Sequence, residues 1–328
     1  MERAMHGMTR RGLMLGLPGL AVAPAARAQA PGWPDRPVRL LVPAPPGSAP
    51  DLVAREVAEP LARRFGQPFP VENRPGADGL LAIEAMLAAR PGEALLVSFT
   101  SALTVAPLLR SPPPPYEPLE ALLPLAALAH DAFGLFVAKD LPGEGLPGLV
   151  AEAHAAGPAR LNWFASPGAP FLAMRAFLRE AGLAEMAYVA YRGAPAALAD
   201  LAAGRLQAAL VPLATALPLA REGRARLVAT TGRTRAAAVP EVPTAAEAGF
   251  PALWQEEMLG LFGWRGMPPA LAEALAREAG GAMAAIEGRL AARGQAARPE
   301  RLQDFAALLA ADRARLGALS REFPLPPA

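Results

Sequence analysis

Again and again along this chain, a short apolar stretch runs into a turn rich in proline or glycine and then into residues with helical spacing. "PVRLLVP" (37–43) is followed by "PPGS" and by "DLVAREVAEPLARRFG" (51–66), where Leu52, Val53, Val57 and Leu61 share one helical face and Gly66 ends it. "PFPVEN", "RPGADG" and "LLAIEAMLAAR" repeat the cycle, and "EALLVSF" ends in the hydroxyl-bearing "TSALT". Strand, turn and helix in this rhythm predict an α/β protein with parallel sheets covered by helices on both faces. Loops at the C-terminal ends of such strands are where open α/β sheets bind ligands.

The first series stops at "LLRSPPPPYEPLEAL" (108–122), whose four successive prolines suit neither a helix nor a central strand. A strand at "FGLFVAKDLP" (133–142) then leads into a second series. It comprises helix 146–156, strand "RLNWFA", loop "SPGAP", helix 171–182, strand "MAYVAY", loop "RGAP", helix 195–203 and strand "LQAALVP". "RARLVATTG" is one more strand, "RTRAAAVPEVPTAAEAGFP" an extended return, and two alanine- and arginine-rich helices fill 268–293 and 299–320. Two such series predict two α/β lobes around one cleft. Residues 31–137 and 240–328 form the first lobe and 138–239 the second. Crossing strands near "LFVAKD" and "RLVATT" are the expected hinge, and the single lysine, Lys139, falls at the expected lobe junction.

The first 28 residues stand apart. Arg3, Arg10 and Arg11 precede an apolar run, and Ala26-Arg27-Ala28 closes it, which is the layout of a cleaved export signal. The consecutive arginines in "TRRGLML" match a twin-arginine signal. This segment holds four arginines and one glutamate, so the rest of the chain is near −1 although the whole is +2. The basic balance therefore reflects the leader. With no later basic stretch interleaved with aromatics, nucleic acid drops out as a partner. There is no cysteine, hence no disulfide, thiolate nucleophile or Cys-based metal site. No remaining segment is apolar for long enough to cross a bilayer, and the expectation is a soluble periplasmic protein cut near Ala28.

Signatures of catalysis are sparse. His130 and His154 have no Ser or Asp in a recognisable arrangement, and His154 falls on a surface helix. There is no nucleophile elbow, zinc-binding histidine pair or phosphate loop. Glu256 and Glu257 are adjacent, so on an extended segment they point to opposite faces. The richer signal is four loops after strands. Pro45-Pro46-Gly47-Ser48 precedes a helix whose N-terminal N–H groups suit a carboxylate. Thr100 and Ser101 offer hydroxyls, and Ser166-Pro167-Gly168 and Tyr191-Arg192-Gly193 open helices in the second series. The expectation is a non-enzymatic binding site without metal or cofactor.

"WPDRPVRLLVPAPPGSAPDLVAR", "GQPFPVENRPGADG", "YVAYRGAPAALADLAAGRLQAAL" and "VPEVPTAAEAGFP" resemble the extracytoplasmic solute receptors of tripartite tricarboxylate transporters, the Bug receptors. The resemblance runs from Trp33 to the last helix. It implies a type 2 periplasmic-binding-protein fold, a small carboxylate ligand between the lobes, integral-membrane transporter subunits as partners, and a monomer. It carries the first-lobe loop onto Ala44, Pro46, Gly47, Ser48 and Asp51, and the opposite wall onto Ala165, Ser166, Pro167 and Gly168. This chain departs from the family's usual pattern in having Ser48 in place of a second glycine and the shorter "ASPGAPFLA". Val211 and Pro212 stand where relatives often carry Asp or Asn, which speaks against amino-acid ligands. Two other function classes share these features: an adaptor that signals ligand capture to a membrane sensor, and an exported cofactor enzyme.

Overall fold

β1 (Arg39–Val42) buries Leu40, Leu41 and Val42 completely, as a strand flanked by two others must. It pairs in parallel with β2 (Val71–Asn73) and with β3 (Ala94–Phe99). In this computed structural model residues 32–323 are described, apart from 111, 167, 192 and 299; the expected export segment and cleavage site lie outside the described residues.

The element that organises the fold is β4 (Leu122–Ala138), a strand of 17 residues. Across the second series follow β5 (Asn162–Ala165), β6 (Ala187–Tyr188), β7 (Ala208–Pro212) and β8 (Ala225–Thr230), then β9 (Glu256–Trp264) and β10 (Gln295–Ala297). The strand order is β2-β1-β3-β9-β4-β7-β5-β6, with β8 and β10 also on β4. Leu122–Ala132 pairs with β9 and, near Asp131, with β10; Phe133–Ala138 pairs with β7 and β8. β4 is therefore common to both halves. The change of partners falls at Ala132/Phe133, and the chain returns through Thr231, whose N–H donates to the Phe133 carbonyl and whose carbonyl accepts from Gln255 N–H.

Four points depart from expectation. The sheets are mixed rather than parallel: β1 pairs with β3 and β5 with β7 in parallel, but β9 joins β3 and β4 joins β7 antiparallel, and β8 is antiparallel to β4. The strand through 122–132 was not anticipated, because Pro124 in an apolar run argues against a central strand. Its position explains the tolerance: the register slips between Pro124 and Ala126, so the missing N–H coincides with a bulge. Lys139 lies beyond the outer end of β4, seven residues from Ala132, and not at the junction. The expected helix 268–293 also breaks at Ile286 (φ −115°, ψ 17°) into Pro269–Ala285 and Glu287–Ala292.

Apolar faces explain the packing. Leu41, Ile83, Leu96, Phe262 and Phe305 share one core, while Trp163, Phe171, Phe177, Leu210 and Leu316 share another. The last helix, Leu302–Glu322, supplies Phe305 and Leu309 to the first core and Leu316 to the second. It braces both halves. Among the described residues no helix is long and apolar enough to cross a membrane.

The "PTAAEAG" stretch of the return segment has a physical role of its own. Thr244 N–H donates to Glu247 (2.8 Å) and Glu247 N–H to the Thr244 hydroxyl (3.1 Å), a reciprocal capping arrangement. Thr230 N–H donates to the Pro243 carbonyl and Ala245 N–H to the Thr230 carbonyl, which pins this turn to the end of β8. Thr244→Ala is expected to cost about 1 kcal/mol, read as a lower urea midpoint at unchanged slope. An unshifted midpoint would show that the turn is held without the hydroxyl.

Candidate functional site

The strands of both halves end in loops that face one cleft of ≈ 1220 Å³. From the first half come Pro43, Ala44 and Pro45 after β1, the loop Pro75–Gly79 after β2, and Ser98, Phe99 and Ser101 at the end of β3. The short helices Ser101–Thr104 and Ala106–Leu109 add Ala102, Val105, Leu109 and Arg110, and β9 adds Glu257. From the second half come Gly168, Ala169, Pro170 and Phe171 after β5, and Tyr188, Ala190 and Tyr191 after β6. Small and proline residues at strand ends keep the backbones close to the space, and the aromatic rings form its apolar wall.

Of the residues singled out from sequence, Ala44, Ser101, Gly168 and Tyr191 line the cleft. Pro46, Gly47, Ser48, Asp51, Thr100, Ala165, Ser166 and Gly193 do not, and Pro167 lies outside the described residues. Gly168 (φ +83°) precedes the helix Ala169–Glu180, whose first turn therefore opens on the cleft. Tyr191 turns its hydroxyl away, donating to Asp200 at 2.7 Å. Thr100 is buried behind the wall, and Ala165 is fully buried within its strand.

The loop after β1 is committed to its own protein. Gly47 N–H donates to Asp51 (2.9 Å), and Asp51 also accepts from Asn73 Nδ2 (3.0 Å) and from Arg55 Nε and Nη2 (3.0 and 2.9 Å). Asn73 Nδ2 reaches the Ala44 carbonyl as well, at 2.9 Å. The Arg55 hydrogen bond, with help from Gly47 and Asn73, holds the Asp51 carboxyl down at about 2 despite its burial. An anion does sit at the N-terminus of the helix Ala49–Phe65, but it is the side chain of Asp51. Ser48 makes no side-chain cap; its hydroxyl donates to the Pro45 carbonyl at 2.6 Å. Gly47 has φ +81° with open space beside it, so conformation rather than crowding calls for glycine.

Of the contributors not read as site residues from sequence, two stand out. The loop "RPGADG" reads as a plain turn, yet Gly76–Gly79 forms part of the wall, and Ala77 (φ 48°) and Asp78 (φ 53°) are both held in the left-handed region. Non-glycine residues held there store strain of about 1–3 kcal/mol each, and such strain clusters at binding sites. The two glycines that bracket them were the available signal. Glu257 is the second. Its Oε1 accepts from Ser101 N–H at 3.0 Å and lies 3.4 Å from the Thr100 hydroxyl. Burial pushes its carboxyl up to about 8; the Ser101 bonds oppose this, and Asp312 and Asp131 reinforce it.

Alternation along β9 sends its neighbour Glu256 the other way, as adjacency on an extended strand requires. Glu256 meets His130 Nδ1 (3.3 Å), Arg233 N–H (3.0 Å) and Arg298 (3.5 Å). Burial works against its charge, but the His130 bond and the two arginine contacts outweigh burial and pull its carboxyl down. Asp131, paired across from Glu257 on β4, is pushed up to about 6 by burial, opposed by Gln295 Nε2 at 2.6 Å. His154 is exposed and bonded to the Ala181 carbonyl at 2.9 Å. Among the described residues no group of His, Asp or Glu is arranged to hold a metal ion.

The sequence profile of the tripartite tricarboxylate transporter family receptor matches residues 53–325. A UPF0065 protein of Bordetella bronchiseptica is 35% identical over 255 residues, covering 75% of this chain and 74% of the relative. Among solved structures, MatC from Rhodopseudomonas palustris with bound malate is 27% identical with a TM-score of 0.66, covering 88% of this chain and 99% of that one. A second R. palustris protein, with adipate, is 25% identical with a TM-score of 0.71, covering 88% and 97%. The architecture is that of periplasmic binding proteins.

Proposed function

The chain belongs to the tripartite tricarboxylate transporter receptor family, and from that premise we propose that it is an extracytoplasmic solute receptor. It captures a small organic acid in the cleft and presents it to integral-membrane transporter subunits. The observation that carries this reading is a single cleft lined by strand-end loops of both halves. Similar proteins hold malate and adipate, which supports a carboxylate as ligand. The role is binding, not catalysis, and the receptor acts as a monomer without a cofactor.

Capture involves closure of the two lobes about the crossings at Ala132/Phe133 and at Thr231–Gln255. The last helix packs in both cores, so closure has to carry it along or shift it between Leu309 and Leu316.

A melting-temperature panel of mono-, di- and tricarboxylates, aromatic acids and amino acids tests the reading, because a ligand that binds only the folded protein stabilises it by about 2.7 kcal/mol at a hundredfold excess over Kd. At least one acid is expected to raise the melting temperature in a concentration-dependent way, and small-angle scattering should then give a smaller radius of gyration. If every acid is silent at millimolar concentration, the receptor reading is wrong.

A further inference from the structure

The cleft is too apolar, and too poor in cations, for a ligand of several charges. Among the described residues its lining holds three acidic or basic side chains, Asp78, Arg110 and Glu257, besides the phenols of Tyr188 and Tyr191. Arg110 is exposed, and no ion pair joins it to any described residue. The N–H of Gly47, which could have met a second anionic group, is already donated to Asp51. A second carboxylate buried in the cleft without a partner would cost several kcal/mol.

Against this sparse charge stands a block of rings. Phe171 and Tyr188 meet edge to face at 5.0 Å, both backed by the fully buried Trp163 at 5.4 and 4.9 Å. Phe99 lines the facing half. Phe171 is itself buried, so the rings offered to the space are the half-buried Tyr188 and Phe99, one from each half, and they suit an aromatic guest met edge to face or offset-stacked.

We propose that the ligand is an aromatic monocarboxylic acid, its ring held against Tyr188 and Phe99 and its single carboxylate directed to Arg110, with Asp78 disfavouring a second anionic group. This rests on the reading of the cleft as a carboxylate site and narrows it to one class of acid. Glu257 lies under the Thr100–Ser101 turn and is spent on the Ser101 N–H, while Asp312 beside it is paired with Arg315 at 2.9 Å, which leaves Arg110 as the cation of the lining among the described residues.

Calorimetric titration of the full-length mature chain tests the assignment, with benzoate, phenylacetate and naphthoate set against succinate, malate, adipate and citrate at one pH and ionic strength. At least one aromatic acid is expected to bind ten times more tightly than any of the aliphatic di- or tricarboxylates. Phenylacetamide should not compete with it. Arg110→Gln, at an exposed position, should leave the melting temperature of the free protein unchanged and weaken the aromatic acid at least tenfold. Tighter binding of a di- or tricarboxylate overturns the assignment and leaves the carboxylate-receptor reading standing. Failure of both classes to bind overturns both. Equal binding of acid and amide, or an unaltered affinity in the folded Arg110→Gln protein, removes Arg110 as the carboxylate's partner and overturns the proposal.

Discussion

Glu257→Gln is expected to raise the melting temperature of the free protein at pH 8.5 and to leave it almost unchanged at pH 4. In the folded chain burial holds the carboxyl at about 8, against 4.5 for the ordinary group. Below pH 4.5 both the folded and the unfolded chain keep the proton, and glutamate and glutamine are nearly equivalent. As the pH rises from 4.5 toward 8 the unfolded chain releases it while the folded chain retains it. Unfolding is favoured progressively over that window and fully above it. Each pH unit of difference is worth about 1.4 kcal/mol, so the penalty reaches a few kcal/mol at alkaline pH. Glutamine keeps an acceptor for Ser101 N–H and removes the charge, so the variant's stability should stay level where the wild type declines. Asp131, at about 6, contributes a slope of the same sign at lower pH, between roughly 4 and 6, and both proteins share it. Parallel stability curves from pH 4 to 9, measured by urea unfolding, would mean that Glu257 is solvated in the folded protein.

That carboxyl marks where the sequence ceases to be informative. Alternation assigns Glu256 and Glu257 to opposite faces, and the structure has them so, one on His130 and one on Ser101. What alternation cannot supply is which face is the cleft, because that depends on β9 lying between β3 and β4. The βα rhythm was legible because a short apolar strand and an amphipathic helix each announce themselves locally. The first part of β4, residues 122–132, was not, since its apolar residues are contiguous rather than alternating and Pro124 counts against a strand until its bulge is known. The site shows the same division. Ala44, Ser101, Gly168 and Tyr191 follow from the rule that loops after strands face the cleft. Phe171 lies within a helix that only tertiary packing turns inward, and the exposed Arg110 joins the lining because the short helix before it borders the cleft. Asp51 could be placed near the loop after β1 by resemblance, but its capture of Gly47 N–H is a matter of side-chain geometry.

Asp51→Ala is expected to cost roughly 2–4 kcal/mol at neutral pH, with the loss confined to pH values above the acid range. The carboxylate is 1% exposed and accepts from three partners at once: Gly47 N–H, Asn73 Nδ2 and the Arg55 guanidinium. Alanine removes hydrogen bonds to a charged acceptor, worth about 1.5–3 kcal/mol each when well shielded and less here, because Gly47 is exposed, Asn73 half-buried and still bonded to the Ala44 carbonyl, and Arg55, half exposed, turns to water. The folded carboxyl titrates at about 2, below the ordinary 3.8, so its contribution is complete above pH 3.8 and disappears as the pH falls through 2. Wild type and variant should therefore differ most from pH 4 upward and converge near pH 2. Asp51→Asn separates charge from hydrogen bonding: one amide oxygen can still accept from Gly47 or Asn73, so about half of the loss should return. Urea midpoints of the three proteins at pH 7, 4 and 2.5 give the comparison. Equal midpoints for wild type and Asp51→Ala at pH 7 would show that the loop after β1 does not depend on this carboxylate, and would leave Gly47 N–H free to meet a ligand.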